Sequence, residues 1–230
     1  MTGDDLAGRL AGVRARIAGA ALNVGRPLDS VTLLPVSKTH PVEVIAELAR
    51  IGGVRQFGEN RPQELAAKAS ELAALELGWV LIGPLQRNKA GLVAKSATQF
   101  QALDSLSVAE SLDSRLQHLG RQIEVLIEVN TSGEASKHGV TPAGALSLAH
   151  GLAAYESLRP VGLMTVAAQG DEPVVRGCFR RLREVRSQLR DDGFDWPQLS
   201  MGMSADLEWA IEEGSTIVRV GTAIFGGRPG

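Results

Sequence analysis

The sequence predicts a single (β/α)₈ TIM barrel, an α/β fold, preceded by one extra helix. Three observations carry that prediction. Eight short runs rich in β-branched and apolar residues recur along the chain, with helical patterns after nearly all of them, the order of parallel βαβ units. Several of these runs, VTLLPV and VLIEV above all, are apolar almost throughout, which suits strands covered by helices outside and filled by side chains inside. The 230 residues match the length of one such barrel, typically about 250 residues, and one domain over residues 1–230 is expected. An open doubly wound sheet is the alternative, and the count of eight strands favours closure.

The elements follow in order. Leu6, Leu10, Val13 and Ile17 recur every three or four residues, the stripe of a packing helix over 3–24. Asp4, Asp5, Arg9, Arg14 and Arg16 break any apolar signal-peptide core in that segment. Strands are predicted at Val31–Val36, Arg55–Phe57, Trp79–Ile82, Gln99–Leu103, Ile123–Val129, Arg159–Leu163, Gln198–Ser200 and Thr216–Val220. The seventh carries the least pattern. Amphipathic stretches at Val42–Ile51, Pro62–Leu75, Val108–Leu119, Pro142–Leu152 and Val174–Leu189 supply the covering helices.

Composition narrows the function. Hydrophobic residues at 44% and charged residues at 22% are ordinary for a globular chain and exclude a disordered one or a coiled coil. A formal charge of −2 gives no basic field for nucleic acid or an anionic membrane. No apolar run reaches the ~18 residues that span a bilayer. The single cysteine, Cys178, cannot close an internal disulfide, so a reducing, cytoplasmic setting is expected. His40, His118, His138 and His150 lack metal-ligand spacing with acidic partners, and no metal is expected. Arg180, Arg181, Arg183, Arg186 and Arg190 read as a solvated helix face, since acidic residues interrupt them. No GxGxxG or P-loop pattern occurs.

Barrel enzymes place their chemistry in the loops after strands. Lys38 ends the first strand, on the side of Leu34 and Val36 by alternation. A lysine backed by apolar neighbours loses solvation when charged, which favours the neutral amine that attacks carbonyls. A solvated strand-end lysine is the plain alternative. After strands seven and eight, LSMGMSAD and VRVGTAIFGG bring Ser200, Gly202, Ser204, Gly221 and Thr222 to helix starts, the recurrent phosphate site of this fold. Ser204 as a mere helix cap and Gly221 as a mere turn are the alternatives. Together with Lys38, the two loops favour a phosphorylated carbonyl compound held at both ends. Arg219, in the apolar IVRVG, points either outward to solvent or inward as a fixed donor. Lys137 reads as a solvated loop lysine, with a second ligand as the alternative. Glu59 and Glu64 read as a helix-start carboxylate and a surface charge.

The segments PVSKTHP, FGENRPQE, IGPLQRNK, VLIEVNTSGEASKHG, GLMT, LSMGMSADLEWAI and VRVGTAIFG, in this order, run from strand one to the last helix. In them the chain resembles the pyridoxal phosphate homeostasis proteins, single-barrel relatives of the N-terminal domain of alanine racemase. The resemblance implies pyridoxal 5′-phosphate (PLP) as a Schiff base on Lys38. It implies phosphate contacts in the Ser200–Ser204 and Gly221–Thr222 loops, and Arg219 facing the pyridine nitrogen. It places Asn60 and Met164 in the pocket lining. Two positions depart from the family's pattern: Arg61 replaces an aromatic residue after GEN, and Val80 replaces a histidine after the strand-three tryptophan. Both bear on the pocket rim.

A PLP carrier without robust turnover is the leading expectation, with an amino-acid racemase and a Schiff-base aldolase as competitors. Racemases of the related fold add a C-terminal β-domain that supplies a second base, for which this sequence has no residues left, and its one tyrosine is Tyr155. PLP-dependent apo-enzymes are the candidate recipients, and a monomer is expected.

Overall fold

The structure, a computed structural model, describes residues 3–227; residues 1, 2 and 228–230 of the predicted domain lie outside the described residues. Eight parallel strands form one sheet: β1 (Thr32–Pro35), β2 (Gln56–Glu59), β3 (Gly78–Leu81), β4 (Gln99–Leu103), β5 (Ile123–Glu128), β6 (Leu158–Met164), β7 (Gln198–Ser200) and β8 (Ile217–Val220). Their spatial order is β1-β8-β7-β6-β5-β4-β3-β2. The two end strands meet through a parallel bridge between Val36 and Gly58, where Ser37 N–H donates to Gly58 O at 3.0 Å. That seam closes the barrel, so the closed topology holds over the open sheet.

The helices are α1 (Gly3–Asn23), α2 (Val42–Gly52), α3 (Pro62–Glu71), α4 (Ala90–Ser96), α5 (Leu106–Leu119), α6 (Pro142–Leu152), α7 (Glu172–Asp191), α8 (Leu207–Glu212) and α9 (Thr222–Phe225). Their ends follow local chemistry. Proline occupies the first turn of α3, α6 and α7, where its missing N–H has no intrahelical partner to lose. Thr141 and Asp171 cap α6 and α7 through side-chain oxygens that accept from Gly144 N and Val174 N. Three boundaries differ from the sequence reading. Strand β2 runs two residues further than predicted, the stretch after Pro62 breaks at Glu71 before a 3₁₀ turn at Ala73–Leu75, and the seven-residue α4 is too short for periodicity to reveal.

Helix α1 buries Leu6, Leu10, Val13 and Ile17 against the barrel's outer helices, as its stripe predicts. Each such side chain contributes about 1.5–3 kcal/mol. Arg16 on its other side donates to both oxygens of Glu208 at 2.6 and 2.8 Å and to Ser204 O at 3.0 Å, tying α1 to the loop after β7. The arginines of α7 are not simply solvated. Arg180 pairs with Glu213 at 3.0 Å, Arg183 donates to Glu213 O, and Arg181 donates to Thr131 O. They clamp α7 to its neighbours because Glu213 is itself nearly buried.

Inside the barrel, Leu34, Val80 and Ile217 form a small apolar plug separate from the large shell between sheet and helices. The rest of the lumen is polar, with Gln99, Gln101, Ser200 and Arg219 buried. Branched aliphatic layers usually fill this space. Among the described residues, no helix is long and apolar enough to cross a membrane.

Candidate cofactor site at the barrel mouth

Strand β1 delivers Lys38 to the mouth, but alternation does not aim it. The strand ends at Pro35, Val36 makes an isolated bridge, and Lys38–Thr39 form a turn. Thr39 sits at φ 67°, a left-handed conformation costly for a β-branched residue. A buried ionic brace holds it. Lys68 Nζ donates to Ser37 O, Glu59 Oε1 and Glu64 Oε1, each at 2.7 Å. Ser37 Oγ donates to Glu59 Oε1 at 2.7 Å, and Thr39 N donates to Glu64 Oε1 at 2.6 Å. Lys38 itself is half-buried, and its ammonium has no hydrogen-bond or ion-pair partner among the described residues.

This brace corrects the reading of Glu59 and Glu64. Glu59 belongs to β2 and is 0% exposed, because the strand runs past Phe57. Burial pushes its carboxyl up, against the hydrogen bonds from Lys68 and Ser37, and Oε2 is buried without a partner. Lys68 was legible: Leu65, Lys68 and Leu72 follow the apolar stripe of α3, so a lysine stood where a core residue belonged.

The loops after β7 and β8 meet on the other side. Gly202 has φ 96°, and a Cβ there would stand 2.5 Å from Ala210 Cβ, so only glycine fits. Ser204 Oγ accepts from Ala223 N at 3.3 Å and joins the two loops. Gly221 lies at the start of α9 against Val36 O, which brings this side onto the strand that leads to Lys38. Thr222 is exposed. Ser200 is a departure: it is fully buried below the loops, donating to Gln101 Oε1 and accepting from Arg219 Nη1, both at 2.7 Å. Its one proton is already committed.

Arg219 points inward, which settles the choice the sequence left open. It is 4% exposed and donates a second bond to Thr165 O at 2.8 Å. Burial lowers its pKa to about 10, with Glu128 and Asp206 opposing. Glu128, at the end of β5, is a residue the sequence reading passed over, although a carboxylate inside VLIEV was its signal. Burial pushes it up to about 7, helped by Asp104 and opposed by His138 and Arg219. It has no hydrogen-bond partner among the described residues, and it shares a cavity of about 210 Å³ with Asn130, Ser136, Lys137, His138 and Val166.

Met164, buried at the end of β6, stands in register between Glu128 and Ser200. Asn60 is exposed just beyond β2 and, with Arg61, Gln86, Lys89 and His138, borders a rim cavity of about 710 Å³. Val80 does not reach the rim, because it belongs to the apolar plug below. Lys137 is not free in solvent either. It donates to Ala167 O at 2.8 Å and pairs with Glu134 at 3.0 Å, bridging the loops after β5 and β6. Among the described residues, no three His, Cys, Asp or Glu side chains gather as metal ligands would.

Known proteins share this arrangement along nearly the whole chain. Residues 14–229 match the family described as alanine racemase, N-terminal domain. The pyridoxal phosphate homeostasis protein of Pseudomonas aeruginosa is 42% identical over 224 residues, 97% of this chain and 96% of that one. Its Vibrio cholerae counterpart is 42% identical over 221 residues, 94% and 93% of the two chains. The solved structure of PipY from Synechococcus elongatus PCC7942 with PLP bound superposes with a TM-score of 0.84 at 35% identity, covering 96% of this chain and all of that one. Identity at this level, spread over the whole barrel from α1 to α9, places the chain in the pyridoxal phosphate homeostasis protein family, within the wider alanine racemase N-terminal domain family.

Proposed function

We propose that the protein binds pyridoxal 5′-phosphate at the C-terminal mouth of its barrel, anchored on Lys38, and holds and releases it without robust turnover. The observation that carries this reading is the Lys38 amine, half-buried at the mouth with no partner among the described residues. The names of the homeostasis-protein relatives and the PLP-bound PipY structure support it. The donor set also fits the cofactor, with an amine for an aldehyde, hydroxyls and backbone amides for a phosphate, and an obligate donor for a pyridine nitrogen.

PLP, when bound, supplies an aldehyde that condenses reversibly with primary amines. Lys38 Nζ provides the amine, on a turn that the Glu59–Lys68–Glu64 brace keeps in one conformation. Ser204, Gly221 and Thr222 hold the phosphate through hydroxyls and amides that lack acceptors inside the helix, and Gly202 lets the β7 loop approach. Ser200 serves as the brace of Arg219 rather than as a phosphate donor. Arg219 can only donate, so it leaves a ring nitrogen unprotonated and weakens the ring as an electron sink. Met164 and Asn60 line the pocket. Tyr155 precedes β6 and so stands at the opposite end of the barrel, away from the position a second base would need. In this reading residues 1–230 form one cytoplasmic, monomeric domain whose PLP passes to apo-enzymes.

Freshly purified protein should absorb in the visible, and borohydride should fix the adduct on Lys38 in peptide maps. Modification mainly on Lys137 or Lys89, or no adduct, would overturn the assignment. Incubation with L- and D-alanine should give no turnover above free PLP by more than a small factor. A rate near the ordinary enzyme median of about 10 s⁻¹ would replace the carrier with a racemase.

A further inference from the structure

A line of polar side chains crosses the barrel lumen from Arg219 towards the N-terminal mouth. Arg219 Nη1 donates to Ser200 Oγ at 2.7 Å, and Ser200 donates to Gln101 Oε1 at 2.7 Å. Gln101 Nε2 donates to Gln99 Oε1 at 2.6 Å. Gln99 Nε2 donates to Glu124 Oε2 at 2.8 Å and to Gln198 Oε1 at 3.2 Å. Glu124 Oε1 accepts from Arg159 at the surface. Ser200 and Gln101 are fully buried, and Gln99 is nearly so.

The direction of this chain is dictated by its ends. A guanidinium only donates and a carboxylate only accepts. Ser200 accepts from Arg219, so its single proton must go to Gln101. That turns the Gln101 amide nitrogen towards Gln99, and the Gln99 nitrogen towards Glu124. Reversing either amide would set oxygen against oxygen at one end of it. A chain polarised this way points every acceptor back towards the buried cation, and its bonds strengthen one another. Beyond it, Arg219 has one further bond, to Thr165 O, and no carboxylate within ion-pair distance among the described residues.

We propose that Gln101 and Gln99 are positioning residues, which fix Ser200 and through it aim the Arg219 guanidinium at the cofactor's ring nitrogen. The aiming rests on the proposed function above, whereas the chain itself needs no cofactor. Removing Gln101 should leave the guanidinium with one bond and free to turn, although it lies outside the cofactor site.

Two measurements on the full chain separate these statements. In cofactor-free protein labelled with ¹⁵N-arginine, the Arg219 side-chain N–H groups should exchange with solvent slowly, and Gln101→Leu should speed them about tenfold or more, the effect of one lost hydrogen bond. Unchanged exchange would overturn the chain as a brace. The second measurement compares PLP with an analogue carrying C–H in place of the ring nitrogen. Gln101→Leu should cut the preference for PLP by about fivefold or more while the analogue's affinity stays within about twofold. Equal weakening of both would mean a merely structural role and would sink the proposal. Gln99→Leu, nearer the open mouth, should shift both readouts in the same direction by less, and it decides the matter if Gln101→Leu does not fold. If wild-type protein and Arg219→Leu discriminate equally little between the two compounds, the ring-facing arginine fails. The exchange rates alone then judge the glutamines.

Discussion

The two flanks of the barrel mouth are built from different interactions. On the β1–β2 flank, a buried lysine and two carboxylates hold the turn that carries Lys38, with four bonds of 2.6–2.7 Å converging on the two glutamates. On the β7–β8 flank, the loops are held by glycine geometry, a single hydroxyl contact at 3.3 Å and the surface pair Arg16–Glu208. The difference follows from what each side must present. An amine that reacts needs a stiff, strained turn, and buried charges with little freedom provide stiffness. An anion cradle cannot tolerate carboxylates nearby, so neutral donors must do its work. The lysine flank should therefore be brittle and the phosphate flank tolerant.

Removing one charge from the brittle flank should have the largest effect. Lys68→Met leaves Glu59 buried against nothing, and breaking such a pair typically costs about 3–5 kcal/mol. Urea denaturation at pH 8 should record a loss of that order. The double variant Glu59→Gln/Lys68→Met should recover more than half of it, because the uncompensated charge goes with its partner. A single variant that loses less than about 1 kcal/mol would show that the brace does not hold the flank.

A second comparison sets the paired Glu59 against the unpaired Glu128 across the mouth. Glu128 is raised from 4.5 to about 7, so the folded protein keeps its proton where the unfolded chain has released it. Its contribution to stability is complete below about pH 4.5 and is lost as pH rises through 7. Glu128→Gln should remove that slope. At pH 8 it should be more stable than the wild type by about 2–3 kcal/mol, and at pH 4 nearly equal to it. Urea midpoints at several pH values would test this, and parallel curves for the two proteins would refute it.

Barrel and mouth were legible in the sequence to different depths. Strand count, helix α1 and the phosphate-type loops are local patterns, and they emerge from periodicity and small residues alone. Lys38 could be named because strand ends are where this fold keeps its chemistry. What stayed hidden depended on non-local partners. Whether Arg219 turns inward depends on Ser200 and Thr165, distant in sequence. Ser200 looked like a phosphate donor because it sits in a Ser-Gly loop, and only the lumen reveals that Gln101 takes its proton. Glu59 read as a helix-start charge because the end of β2 was set two residues early, and a shift of that size moves a side chain from surface to interior.

The tolerant flank offers the smallest and most discriminating effect. Ser204→Ala removes a 3.3 Å contact to Ala223 N, a long bond, so thermal stability should fall by no more than about 1 kcal/mol. The loops remain joined by the backbone of α9 against Val36 and by Arg16, which reaches the main-chain oxygen of Ser204 and is indifferent to its side chain. A hydroxyl donating to a phosphate is charge-assisted, however, and should contribute about 1.5 kcal/mol or more to binding. PLP should thus bind about tenfold more weakly to Ser204→Ala, while pyridoxal without the phosphate should bind both proteins alike. Thr222→Ala on the exposed start of α9 should act in the same sense, with still less cost to the fold. Equal loss of PLP and pyridoxal affinity would mean that Ser204 shapes the loops and leaves the phosphate to others. That outcome would erase the contrast between the flanks.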